Sequence, residues 1–138
     1  MAGTHRFNPT VLREYDIRGI VGETITEDDA RAVGRSFGTV VARNGGSKVA
    51  IGYDGRLSSP AMAAALEEGL CSAGIEALRV GRGPTPMLYF ASHHLPVDAG
   101  IMVTGSHNPP EYNGFKMVLQ HGSVYGAAIQ ELRRIAAP

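Results

Sequence analysis

Ser106 is the residue of this sequence best placed to do chemistry. It follows the apolar run Gly100-Ile101-Met102-Val103 by way of Thr104 and Gly105, and it precedes His107, Asn108, Pro109 and Pro110. The run reads as a strand. Two prolines so soon after it forbid a helix, because proline lacks the N–H that a helix interior needs. A serine is thereby held on a stiff loop where a strand ends, with an imidazole, an amide and the amine of Lys116 nearby in sequence. In open α/β sheets, ligands bind outside the carboxyl ends of the strands. Ser106 is on this ground a candidate nucleophile or phosphate carrier; the alternative is a loop serine that bonds its own backbone.

Competing motifs are weak. A hydrolase elbow needs Gly-Xaa-Ser-Xaa-Gly turning straight into a helix, and the fifth position here is Asn108 with prolines after it. A phosphate-cradling P-loop needs Gly-Lys-Ser/Thr at a helix start, a triplet this sequence does not contain. Gly81-Arg82-Gly83 begins like a dinucleotide fingerprint but has no third glycine. His93 and His94 are adjacent, whereas helical ligands must be three or four residues apart to share a face. Glu27-Asp28-Asp29 and Glu67-Glu68 fall on predicted helices, where capping and solvation account for them.

The elements that must position Ser106 follow from periodicity. Ala30, Val33, Phe37, Val40 and Val41 keep helical spacing behind a Thr26 cap, and Asn44-Gly45-Gly46 stops that helix. Val49–Gly52 reads as a short buried strand that ends at Asp54. Ser59 and Pro60 open the next helix as cap and first residue, and Gly74 closes it after Cys71. A strand over Ile75–Val80, a helix over Thr85–His94 and a strand over Asp98–Val103 follow. Phe115–Leu119 returns too soon for a helical crossover, so it pairs antiparallel, and Ala127–Ile135 forms a last helix. The alternation predicts an α/β layered domain with a mixed, mainly parallel sheet covered by helices on both faces.

Composition narrows the function. A chain of 138 residues is one domain's worth and buries a real core. Thirteen basic and thirteen acidic residues cancel, so no global field recruits nucleic acid or an anionic membrane. No segment reaches the ~18 apolar residues of a membrane span, and the amino terminus does not read as a signal peptide. Cys71, the single cysteine, excludes an intrachain disulfide, suits a cytoplasmic setting, and reads as a small buried hydrophobe.

The loop, together with Asn113-Gly114-Phe115-Lys116, resembles the phosphoserine loop of the α-D-phosphohexomutases, nearest in pattern to the phosphomannomutase/phosphoglucomutases. Tyr15-Asp16-Ile17-Arg18-Gly19 resembles that family's amino-terminal arginine motif. Asp54-Gly55-Arg56 and Gly83-Pro84-Thr85-Pro86 stand between them in the family's order, although Tyr53 replaces an arginine that many relatives carry. The Asp54 strand end is read as structural.

The resemblance implies that residues 1–138 are the family's first domain, with later domains outside this chain. It implies interconversion of hexose 6-phosphate and hexose 1-phosphate, of mannose or glucose, through a phosphoserine at Ser106 and a bisphosphorylated hexose. A phosphoserine carries close to two negative charges, so cations and donors should converge on it. Arg18 offers a planar fork for phosphate oxygens and Lys116 a point charge that also exchanges a proton. His107 is an alternative acid/base. Asn108, Tyr15 and Asn113 are further phosphate- or substrate-binding candidates, Asn113 tying the loop to itself or marking a turn with Gly114. Mg²⁺ would meet this chain only through the Ser106 phosphate, because the family's aspartate-rich loop has no counterpart in it. The expected partners are a phosphosugar and the enzyme's own later domains, and the isolated domain is expected to be inactive. A non-catalytic phosphosugar- or protein-binding domain is the alternative.

Overall fold

The computed structural model describes residues 4–13, 16–119, 122–123 and 126–136. The elements run β1 (Ile17–Ile20), α1 (Glu27–Arg43), β2 (Lys48–Tyr53), α2 (Ser59–Ser72), β3 (Glu76–Arg82), α3 (Thr85–His94), β4 (Ala99–Val103), β5 (Tyr112–Leu119), β6 (Gly122–Ser123) and α4 (Ala127–Ala136). The sheet order is β1-β5-β4-β2-β3, and β6 pairs with the far end of β5. β2 pairs parallel with β3 and with β4, while β5 is antiparallel to β4 and to β1. β1 to β4 therefore run one way and β5 runs against them, the mixed sheet that the spacing predicts.

Topology decides which face each helix covers. The steps from β1 to β2 and from β2 to β3 advance in one direction along the sheet, and the step from β3 to β4 goes back. Right-handed crossovers then require α1 and α2 on one face and α3 on the other. The core has this arrangement. Phe37, Met62, Leu66, Leu70, Ile129 and Leu132 pack with Ile51, Ile101, Val103 and Phe115 on one side. Leu88 of α3 packs with Ala50, Val97 and Met102 on the opposite side.

Local chemistry sets the helix ends. Thr26 and Asp29 form a reciprocal capping box: the Thr26 N–H donates to Asp29 Oδ2 at 2.8 Å, and the Asp29 N–H donates to Thr26 Oγ1 at 3.4 Å. His5 Nε2 lies 2.6 Å from Asp29 Oδ1, and the His5 N–H donates to the Ala136 carbonyl at 2.8 Å. The amino-terminal segment is thus tied across the starts and ends of two helices.

Three expectations need correction, and two short strands are additional. Ser58, not Ser59, is the cap residue of α2 and makes no side-chain capping bond, while the Ser59 hydroxyl is drawn away by a carboxylate. Cys71 is exposed, because it falls outside the buried stripe of Met62, Ala63, Leu66, Gly69 and Leu70. Asn113 and Gly114 do not form a turn: β5 starts at Tyr112, and both residues sit in register with Gly19 and Arg18. β1 and β6 were not anticipated, since strands of four and two residues carry no readable alternation.

α1 and α2 approach closely enough to require glycine at both contact points. A Cβ on Gly34 would overlap the Leu66 carbonyl, and one on Gly69 would overlap the Arg31 carbonyl. Alanine at Gly69 would gain about 1 kcal/mol of helix propensity. Against that, main-chain atoms cannot retreat as a side chain can, and overpacking costs about 1–3 kcal/mol or more. Gly69→Ala is therefore expected to be net destabilising by about 1–2 kcal/mol, read as a lower urea midpoint at unchanged slope; a raised midpoint would show that the helices separate freely.

Candidate functional site

The loop from Thr104 to Glu111 leaves β4 at the carboxyl edge of the sheet, beside the end of β2. Parallel pairing continues one residue past the strands, with the Asp54 N–H donating to the Val103 carbonyl at 2.9 Å. Asp54 is thereby fixed against the first residues of the loop. Its Oδ2 accepts from the Thr104 hydroxyl at 3.0 Å and the Gly105 N–H at 3.1 Å. Its Oδ1 accepts from the Ser59 hydroxyl at 2.5 Å and the Arg56 N–H at 3.1 Å. Burial pushes the Asp54 carboxyl upward, and the hydrogen bonds from Ser59, Arg56, Gly105 and Thr104 outweigh it, leaving it below the ordinary carboxylate value.

Arg56 completes the assembly. Its Nε donates to Asp54 Oδ2 at 3.1 Å. Nη1 donates to the carbonyls of Pro109 at 2.6 Å and Tyr112 at 3.2 Å; Nη2 donates to those of Ser106 at 3.1 Å and Asn108 at 2.8 Å. A guanidinium has five N–H donors, and here each has an acceptor. Gly105 lies flat against this group: any Cβ there would fall inside the guanidinium.

Ser106 itself has φ +58, the one positive φ of a non-glycine residue among the described residues. Such a conformation costs of order 1 kcal/mol or more and persists where the surroundings over-determine it. Here the Ser106 N–H donates to Thr104 Oγ1 at 2.9 Å and its carbonyl is held by Arg56, while its hydroxyl has no partner among the described residues. The Asn108 N–H and Nδ2 both donate to the Gly105 carbonyl, at 3.1 and 3.0 Å, which closes the turn around the serine. His107 is exposed at the turn's tip.

The other predicted residues divide into two groups. Lys116 is in register with Met102, and Arg18 with Gly114. Met102 belongs to the α3 side of the sheet, so alternation puts Lys116, Gly114, Arg18 and Thr104 on that same face. α3 packs on β2 and β4 there. Arg18 and Lys116 lie on the neighbouring strands β1 and β5. Arg18 pairs with Asp16 through Nη2, and its buried Nε has no acceptor among the described residues. Asn113 lies elsewhere. It is fully buried, its Nδ2 donates to the Ser58 and Ser59 hydroxyls at 2.8 and 3.0 Å, and its Oδ1 accepts from the Gly114 N–H. It ties β5 to the start of α2, not the loop to itself. Tyr15 lies outside the described residues.

Asp54, Arg56 and Thr104 have a larger share in the loop than the sequence suggested. Asp-Gly-Arg at the end of a strand was legible as structural, but its partner loop was not, because 50 residues separate Arg56 from Ser106. Among the described residues no group of three or more His, Cys, Asp or Glu could hold a metal ion. No described helix is long and apolar enough to cross a membrane.

Fold and site together define an α/β/α layered domain that presents a strained serine at the carboxyl edge of its sheet. The family model for phosphoglucomutase/phosphomannomutase, alpha/beta/alpha domain I, matches residues 9–137. A phosphoglucomutase of Neisseria gonorrhoeae is 49% identical over 125 residues, and a phosphomannomutase/phosphoglucomutase of Pseudomonas aeruginosa 45% identical over 124. The crystal structure of a phosphoglucomutase/phosphomannomutase family protein from Burkholderia thailandensis superposes with a TM-score of 0.89 at 47% identity, over 94% of this chain and 30% of that one. The chain belongs to the phosphoglucomutase/phosphomannomutase family. It aligns over 91% of its own length with the Neisseria protein but over only 27% of that protein's, and over 90% and 27% for the Pseudomonas protein.

The Asp54 geometry generates a pH prediction. Its folded pKa lies below the unfolded value of about 3.9, so its stabilisation is complete above that value and is lost as pH falls through the folded pKa. Asp54→Asn is expected to cost about 1.5–3 kcal/mol at pH 7, the usual worth of hydrogen bonds to a charged group. Urea unfolding of both forms should show that gap constant from pH 7 to about 5 and closing below about pH 4; a gap that widens in acid would contradict the assignment.

Proposed function

We propose that this chain is the first domain of a longer phosphohexomutase and that Ser106 carries the phosphoryl group. The observation that carries this reading is the serine itself: held at φ +58, its hydroxyl without a partner among the described residues, at the edge of a sheet whose strands β1 and β5 carry Arg18 and Lys116 on one face. In the reaction, the bond from phosphorus to Ser106 Oγ breaks as a sugar hydroxyl oxygen bonds to phosphorus. The sugar hydroxyl loses its proton to Lys116 or His107, and Ser106 leaves as the alkoxide or takes a proton. The bisphosphorylated hexose turns round and returns its other phosphoryl group to Ser106. Net conversion is between hexose 6-phosphate and hexose 1-phosphate, of mannose or glucose.

Transfer of this kind depends on positioning and on stabilising charge. Arg18, whose buried Nε has no acceptor among the described residues, suits a phosphate oxygen, because buried donors demand acceptors. Lys116 supplies a point charge on the same face. Asn108 shapes the turn, Asn113 holds β5 to the start of α2, and Tyr15 is retained as a candidate for binding phosphate or substrate. Mg²⁺, the sugar-reading groups and the activating bisphosphate belong in this proposal to the whole protein, whose later domains are this domain's partners. A cytoplasmic setting fits phosphosugar substrates and the exposed Cys71 thiol.

In the protein from the complete reading frame, Ser106→Ala should lower mutase turnover by about 100-fold or more, since it removes the covalent step. Stability should change by under ~0.5 kcal/mol, as for most exposed loop changes. Intact-mass analysis with fragmentation should find a single phosphate on Ser106. Full activity of Ser106→Ala, or phosphate found only elsewhere, would sink the mechanism. Residues 1–138 alone should show no turnover of glucose 1-phosphate; ordinary enzyme rates from them would mean that the later domains are dispensable.

A further inference from the structure

We infer that Arg56 and Asp54 are positioning residues for the transfer at Ser106, an inference that rests on the reading above. Neither is aimed at a substrate. All five donors of Arg56 are spent, three on carbonyls of the serine loop, one on the Tyr112 carbonyl where β5 begins and one on Asp54. Asp54 in turn holds the Gly105 N–H and, through the Thr104 hydroxyl, the Ser106 N–H. Both backbone polar groups of Ser106 are thus referred back to this one ion pair, which anchors the residue at the end of β2.

The energetic need is specific. A serine at φ +58 relaxes to negative φ unless neighbouring groups oppose it. Relaxation would move its hydroxyl from the position that the loop gives it, and transfer chemistry is sensitive to such displacement. The clamp opposes it with a planar fork that a lysine cannot reproduce, because an ammonium is a single point with three donors. Gly105 belongs to the same device, since any side chain there displaces the guanidinium while leaving every clamp residue in the sequence.

Arg56→Lys and Gly105→Ala in the protein from the complete reading frame test this, with Ser106→Ala as reference. A positioning role predicts that kcat per folded molecule falls about 10- to 100-fold, the effect of displacement on the ångström scale, while KM stays within about threefold. Single-turnover loss of phosphate from phospho-Ser106 to glucose 1-phosphate, followed by intact mass, should slow by the same factor. The clamp is overturned as a positioning device by wild-type kcat in both folded variants beside an inactive Ser106→Ala. It is equally overturned by a change in KM alone, or by activity falling only with the folded fraction. Should both variants fail to fold, the clamp is a stability element and the inference falls. Full activity of Ser106→Ala removes the phosphoserine reading, and this inference with it.

Discussion

The carboxylate of Asp54 and the guanidinium of Arg56 meet where the carboxyl ends of β2 and β4 lie side by side, and the serine loop is assembled on them. The loop has no helical or sheet ladder of its own, so its carbonyls must find donors elsewhere. One arginine supplies three of these bonds and a fourth to the first residue of β5, and one aspartate accepts from the Gly105 N–H and the Thr104 hydroxyl. The pair lies in a partly buried position where each charge is compensated and hydrogen-bonded, the condition under which such a pair does not become a liability. A backbone conformation unfavourable for serine is then maintained by the sum of ordinary contacts.

That arrangement depends on the strand order. β4 is central, flanked by β2 on one side and β5 on the other. Its position beside β2 brings Asp54 and Arg56 to the loop. Its antiparallel return through β5 puts Lys116 on the face shared with Arg18 of β1. Gly114, in register with Arg18, keeps that face open at the crossing; a side chain there would collide with the main chain of Ile17 and Arg18. Asn113, immediately before it, uses its amide to bind β5 to α2, so both flanks of the loop are anchored to the same helix start.

Charge is distributed with similar economy. Arg56 is neutralised by Asp54 and acts inward, whereas Arg18 keeps one buried donor unmatched and Lys116 has no acceptor among the described residues. Two arginines of identical chemistry therefore differ in use because their surroundings differ. Arg56 organises a loop, and Arg18 leaves capacity for an oxyanion.

How much of this was legible in the sequence depends on the range of the interaction. Helical periodicity and the Thr26 cap determined α1 within its bounds, since capping and amphipathicity act over a few residues. The apolar run before Thr104 and the prolines after Asn108 determined that Ser106 sits on a non-helical loop, because proline's missing N–H is a local fact. Local signals also misled: Asn113-Gly114 is a turn dipeptide that β1 pulled into a strand, and Cys71 followed an apolar run whose buried stripe turned away from it. Only the tertiary structure decided that Asp54 and Arg56 hold the Ser106 loop, that Asn113 faces α2, and that Arg18 shares a face with Lys116. Those contacts join residues 50 or more positions apart, and a chain's spacing carries no record of which strand ends will lie together once the sheet has closed.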